Sequence, residues 1–121
     1  MRLLITGGSG LLGSKIAEIA LKRHEVFSGY NRHKPEFGEP VKMDLTKDFE
    51  DLIYEIRPDV IIHAAALTNV DVCELNKELA YKVNVEGTKR LAKVAKRIGS
   101  FTVYISTDYV FSGERGMYKE E

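Results

Sequence analysis

Thr6-Gly7-Gly8-Ser9-Gly10-Leu11-Leu12-Gly13 packs four glycines into eight residues. The chemistry this composition suits is the holding of phosphate. A turn between a strand and a helix offers free backbone N–H groups and about half a positive charge at the helix N-terminus. Gly7 or Gly8 permits the tight turn, Gly10 removes a Cβ that would block a pyrophosphate, and Gly13 lets helix and strand pack closely. Two frames fit: Gly8-x-Gly10-x-x-Gly13 and Gly7-x-x-Gly10-x-x-Gly13. Either is weak alone. Directly after an N-terminal strand, it predicts a dinucleotide site, against the plainer alternative of a glycine-rich turn without a ligand. Gly8 and Gly13 also have the spacing of a nucleotide-triphosphate loop. That loop ends in Gly-Lys-Ser/Thr, whereas this chain has Gly13-Ser14-Lys15, with the lysine misplaced for the phosphates.

Further candidates are spread along the chain. Tyr30-Asn31-Arg32-His33-Lys34 holds no acid and two permanent cations. An acid at the end of the second strand of a dinucleotide fold reads the ribose 2′-hydroxyl, whereas basic groups read a 2′-phosphate. Arg32 suits bidentate phosphate binding. The region therefore favours NADP(H), with NAD(H) as the alternative if these are only solvated loop charges. Asp44 could accept from an adenine amino group, with Leu45 covering the ring; as a helix N-terminal acid it would be equally reasonable. Ala64, Ala65 and Ala66 are small enough to let a flat cofactor approach the backbone, or simply form a tight packing layer. His63 has no acid or nucleophile beside it in sequence and is read as a satisfied strand-end histidine rather than a catalyst. Cys73 is read as a small buried hydrophobe. Asn84 lies on an apolar helical stripe, where its amide must find partners.

The elements that must position these residues alternate. Strands are expected at 2–6, 25–30, 41–43, 60–63 and 101–105. Helices are expected from Ser14 to Arg23, over 47–56 with Thr46 as N-cap, and over 76–98, ended by Gly99; Asp71 caps a short helical segment between. In the first helix Leu12, Ile16, Ile19 and Ala20 recur at helical spacing; in the longest, Ala80, Val83, Gly87, Leu91, Val94 and Ile98 share a face. Residues 31–40 form a loop. Alternation implies α/β architecture, a Rossmann-like, doubly wound parallel sheet with strand order 3-2-1-4-5. The ligand is then expected where that order reverses, at the carboxyl ends of strands one and four.

Composition sets the outer bounds. The 121 residues make one domain, 1–121, large enough for a core, with 44% hydrophobic and 30% charged residues. Eighteen basic and 18 acidic residues leave no net charge to draw nucleic acid or an anionic membrane. A single cysteine allows no internal disulfide and fits a reducing cytoplasm, and no apolar run approaches a membrane span.

The glycine octet, His63-Ala64-Ala65-Ala66, Asn84-Val85-Glu86-Gly87-Thr88 and Ser106-Thr107-Asp108-Tyr109-Val110-Phe111-Ser112-Gly113 resemble the extended short-chain dehydrogenase/reductases. The last octet, with Ala64-Ala65-Ala66-x-Thr68-x-Val70-Asp71, resembles more narrowly the dTDP-4-dehydrorhamnose reductase family. The resemblance implies NAD(P)H-dependent reduction of the 4-keto group of a nucleotide sugar, with a dTDP-linked sugar as partner. It places Gly10, Leu11 and Leu12 against the pyrophosphate and Asn31 by the adenosine ribose, with Gly7, Ser9, Gly13 and Arg32 counted in the cofactor-binding set. Asp44 and Leu45 fall by the adenine, Ala64 to Ala66 along the cofactor, and Asn84 in the same cofactor-binding set. Thr107 becomes the catalytic hydroxyl that steadies oxyanion charge. Thr107, Asp108 and Tyr109 contact the sugar nucleotide.

The family's proton donor is a tyrosine in a Tyr-x-x-x-Lys pair, whose lysine lowers the tyrosine pKa. Tyr30 and Lys34 spell it by letter only, at the adenosine end, and Tyr118 has no residue four positions on. The sequence is therefore expected to carry the cofactor half of such an enzyme, truncated before the last strands and the substrate lobe and inactive alone. It should self-associate, or recruit a partner chain, over an exposed strand-five edge. The competing expectation is a nucleotide-binding regulatory module like the regulatory β subunit of methionine adenosyltransferase, which uses this fold to bind an enzyme.

Overall fold

A computed structural model of the protein describes residues 1–64 and 77–105. Five strands, β1 (Arg2–Thr6), β2 (Glu25–Tyr30), β3 (Glu39–Lys42), β4 (Val60–His63) and β5 (Phe101–Tyr104), form one sheet. Its order is β3-β2-β1-β4-β5 and every neighbouring pair is parallel, as the alternation of elements requires. Thr6 stands level with Gly29 on one side and His63 on the other, and His63 is level with Tyr104. The carboxyl ends of the strands therefore share a rim, with the order reversing between β1 and β4.

Alternation along β1 divides the core. Leu4 enters the larger cluster, with Met43, Leu45, Phe49, Ile53, Ile56, Ile61, Leu91, Val94 and Ala95. Leu3 and Ile5 enter the opposite one, with Ala17 and Val26. Helix α1 (Leu11–Ala20) covers the second face; α2 (Glu50–Ile56) and α4 (Gly87–Ile98) cover the first. Apolar side chains buried on both faces are the reason a parallel sheet persists here.

Four expectations are corrected. Helix α1 begins at Leu11 and ends at Ala20, three residues before each expected bound, and its buried residues are Gly13 and Ala17, whereas Leu12 and Ile19 are exposed. Small residues face the sheet because the glycine turn brings the helix axis close to it. Thr46 does not cap α2. Its N–H and its hydroxyl both donate to Asp44 Oδ1, at 2.9 and 2.7 Å, so a turn consumes it and the helix starts at Glu50. Third, β3 starts at Glu39 and includes Pro40, which an outermost strand tolerates.

The expected long helix is interrupted. Helix α3 (Lys77–Tyr81) passes into a π-turn (Lys82–Glu86) and then α4. Gly87 N–H reaches back five residues to Lys82 O, which widens the helix around Asn84. Gly99, at φ 75°, ends α4 with Lys96 and Arg97 in the last turn, as the sequence predicts. Leu91 and Val94 are buried on its inner face; the side chains of Ala80 and Val83 lie outside the described set.

Candidate functional site

The glycine turn is built from distinct necessities. Gly7 has φ 72°, which L side chains avoid. A Cβ on Gly8 would stand 2.6 Å from Ser28 Cβ, and one on Gly13 would overlap the Gly7 carbonyl. Both glycines are thus demanded by the protein's own packing. Gly10 is not. Its backbone is extended, at φ −77° and ψ 173°, and an added Cβ would meet only Gly7 O at an ordinary 3.4 Å. Packing gives no reason for a glycine there, although the N-cap position of α1 itself favours one over alanine.

The turn is held by Gly8 N–H donating to Gly29 O at 2.9 Å and Gly10 N–H donating to Gly7 O at 3.0 Å. Ser14 N–H makes the first helical bond, to Gly10 O. The amides of Leu11, Leu12 and Gly13 precede it; among the described residues no side chain caps them, and no acid sits in the first turn. Leu11 projects beside them, 96% exposed. Open backbone donors at a helix N-terminus attract anions.

At the end of β2, Asn31, Arg32, His33 and Lys34 are all exposed. Lys42 Nζ donates to Asn31 O at 2.6 Å and lies over the Tyr30 ring. Arg32, His33 and Lys34 make no hydrogen bond or ion pair among the described residues. After β3, Asp44 Oδ1 is occupied by Thr46, whose hydroxyl holds the carboxyl below its usual range. The Leu45 side chain is turned into the core, 7% exposed, and Gly87 is pressed upon it: a Cβ on Gly87 would meet Leu45 Cβ at 3.1 Å.

His63 closes the reversal point. Its Nδ1 lies 2.7 Å from Thr6 Oγ1 and its Nε2 2.9 Å from Thr88 Oγ1. Burial pushes its pKa down to about 4, so the ring is neutral near pH 7. This is the satisfied histidine the sequence suggests. Ala64 follows, its N–H shared between Thr6 Oγ1 and Thr6 O. Asn84 is half-buried within the π-turn. Ala65, Ala66, Asp71, Cys73, Thr107, Asp108 and Tyr109 lie outside the described residues.

The sequence assigns no individual role to three contributors. Thr88 has a visible signal, one turn beyond Asn84 on the same helix. Ser28 and Arg90 have none, because their roles arise from residues far away in sequence. Arg90 forks onto Glu50, with Nε 2.8 Å from Oε2 and Nη2 2.9 Å from Oε1. It also donates to Lys47 O at 2.7 Å and lies 4.6 Å from the centre of the Phe49 ring. No group of residues suited to a metal ion occurs among those described, nor does any helix long and apolar enough to cross a membrane.

Comparison with known proteins gives this geometry a context. The family described as the RmlD substrate binding domain matches residues 1–121. Methionine adenosyltransferase 2 subunit beta of Bos taurus is 40% identical over 99% of this chain and 36% of its own length. The dTDP-4-dehydrorhamnose reductase of Aggregatibacter actinomycetemcomitans is 42% identical over 98% of this chain and 39% of its own. Among solved structures, a hypothetical dTDP-4-dehydrorhamnose reductase from Sulfolobus tokodaii superposes with TM-score 0.87 at 52% identity, covering all of this chain and 44% of that one. The dTDP-4-dehydrorhamnose reductase of Bacillus anthracis, solved in complex with NADP, superposes with TM-score 0.75 at 36% identity, over 94% of this chain and 39% of that one. The chain thus spans between 36% and 44% of the length of these four relatives.

Proposed function

Because the chain belongs to the RmlD substrate-binding-domain family, we propose that it supplies the dinucleotide-binding half of a dTDP-4-dehydrorhamnose reductase-like enzyme. The observation that carries this reading is Gly10, a glycine that packing does not demand, at the mouth of three amides that no described side chain caps. The amides of Leu11, Leu12 and Gly13 would hold the pyrophosphate, Arg32 a 2′-phosphate, Asn31 the adenosine ribose and Asp44 the adenine. NADP(H) is favoured over NAD(H), because the end of β2 is basic. The bound dinucleotide would supply a hydride to a 4-keto nucleotide sugar. Thr107 would polarise the ketone, beside Asp108 and Tyr109. The proton donor would come from a Tyr-x-x-x-Lys pair that these 121 residues do not contain in a suitable place.

The test is a titration of NADPH and NADH into the purified chain, followed by nicotinamide fluorescence. Micromolar binding, tighter for NADPH, is expected, with no turnover of a 4-keto sugar by the 121 residues alone. A folded chain that binds neither dinucleotide would overturn the proposal.

A second reading is favoured by the 40% identity to a methionine adenosyltransferase β subunit: a regulatory module that binds an enzyme. The outermost strand β5 exposes Phe101 and Tyr104 and offers an edge for self-association or a partner chain. Capture of a methionine adenosyltransferase catalytic subunit would favour this reading, and a monomer that captures none would exclude it.

A further inference from the structure

Ser28 lies at the centre of β2 and is completely buried, a costly place for a hydroxyl unless it is used. Three contacts show its use. Its Oγ donates to Phe37 O at 2.7 Å. The turn side of the same residue is so close to Gly8 that an added Cβ there would stand 2.6 Å from Ser28 Cβ. On the other side Gly38, at φ 89°, leaves no room for a side chain, since its Cβ would stand 2.5 Å from Ser28 Oγ. One small side chain thus touches the phosphate turn and closes the 31–38 loop. Lys42 Nζ fixes the opposite end of that loop through Asn31 O. Between the two anchors stand Arg32, His33 and Lys34, all exposed.

We propose that Ser28 is a positioning residue for cofactor choice, setting the distance between the glycine turn and the basic loop that reads the ribose 2′ position. The inference rests on the dinucleotide reading above. A dinucleotide phosphate bound at the turn fixes where its adenosine ribose falls, so a guanidinium is useful only if its loop is held in register with that turn. The Ser28–Phe37 bond supplies the register. Ser28 touches no ligand and acts through the loop.

The experiment compares NADPH and NADH affinities of the wild type, Ser28→Ala and Gly38→Ala by fluorescence titration, with circular dichroism to confirm folding. Ser28→Ala removes the anchor; Gly38→Ala pushes on the same contact from the loop side. In both, NADPH binding should weaken about five- to tenfold, as expected for one lost positioning bond, while NADH binding changes less than about twofold. The preference therefore collapses. Equal losses for both cofactors would mark Ser28 as merely structural and overturn the inference, as would an unchanged preference in folded variants. A folded wild type that binds neither cofactor would overturn the dinucleotide reading and this inference with it. A wild type that prefers NADPH while both variants keep that preference would overturn this inference alone.

Discussion

Thr6 Oγ1 and His63 Nδ1 lie 2.7 Å apart across the two strands between which the sheet order reverses. The same hydroxyl accepts the Ala64 N–H at 3.0 Å, and the far side of the imidazole meets Thr88 on α4. Two strand ends and a helix are therefore joined through one neutral ring. The joint lies directly beneath the glycine turn, since Gly7 follows Thr6.

Neutrality of that ring makes stability pH-dependent. His63 has a pKa near 4 in the folded chain and an ordinary value of 6.5 when unfolded. Between these values the unfolded state binds more protons, so stability is fully present above about pH 6.5 and falls as pH drops toward 4. The loss is at most about 3 kcal/mol. Urea unfolding at pH 7.0 and 4.5 should show it, and His63→Gln should flatten the profile in this window. An equally steep profile in the variant would show that another group titrates.

Gly13 and Gly10 should separate stability from binding. Gly13→Ala drives a methyl into the Gly7 carbonyl and should destabilise by about 3 kcal/mol or more, because backbone cannot move aside cheaply. Gly10→Ala meets nothing closer than 3.4 Å and should cost no more than about 1 kcal/mol, the loss of an N-cap glycine. Its dinucleotide affinity should nevertheless drop about tenfold or more. Thermal unfolding and nicotinamide fluorescence on both variants check this together. A Gly10→Ala chain that binds as well as the wild type would remove the main support for a ligand on the turn.

These contrasts also show what sequence could carry. Strand order followed from the alternation of elements, and the turn from glycine spacing, because both are local patterns repeated along the chain. The facing of α1 did not follow, since Leu12 and Ile19 match a helical stripe by hydropathy while Gly13 and Ala17 win by size. The π-turn has no local signal, because Lys82–Glu86 has an unremarkable composition; Gly87, whose N–H closes it, packs beside Leu45, a residue remote in sequence. Thr46 was misassigned because Asp44, two residues earlier, competes for the same N–H and hydroxyl.

Arg57 ends α2 in the left-handed region, at φ 50° and ψ 60°, with its N–H donating to Ile53 O at 2.8 Å. A side chain there raises the energy by about 1–2 kcal/mol, and glycine is relieved of it. Glycine in turn loses more backbone entropy on folding. The net effect of Arg57→Gly should be a stabilisation of about 0.5–1 kcal/mol. Chemical denaturation at pH 7 measures it, and a destabilised variant would indicate that the exposed arginine contributes a contact of its own.

Arg90 and Glu50 join α4 to the segment that carries Asp44. The guanidinium meets both carboxylate oxygens, takes Lys47 O as well, and covers Phe49, which is 1% exposed. These bonds hold the Glu50 carboxyl down at about 2. Its stabilising effect is therefore present above about pH 4.5, the ordinary value, and fades as pH falls toward 2, a window distinct from that of His63. Partial exposure of both side chains screens the pair, so a double-mutant cycle with Arg90→Met and Glu50→Gln should give a coupling of about 1–2 kcal/mol at pH 7. At pH 2 the coupling should shrink as the carboxyl protonates. If the clamp also sets the Asp44 turn for an adenine, Arg90→Met should weaken NADPH and NADH alike, unlike changes at Ser28. A coupling near zero at pH 7 would show that packing of Phe49 and Leu45 alone secures this edge of the site.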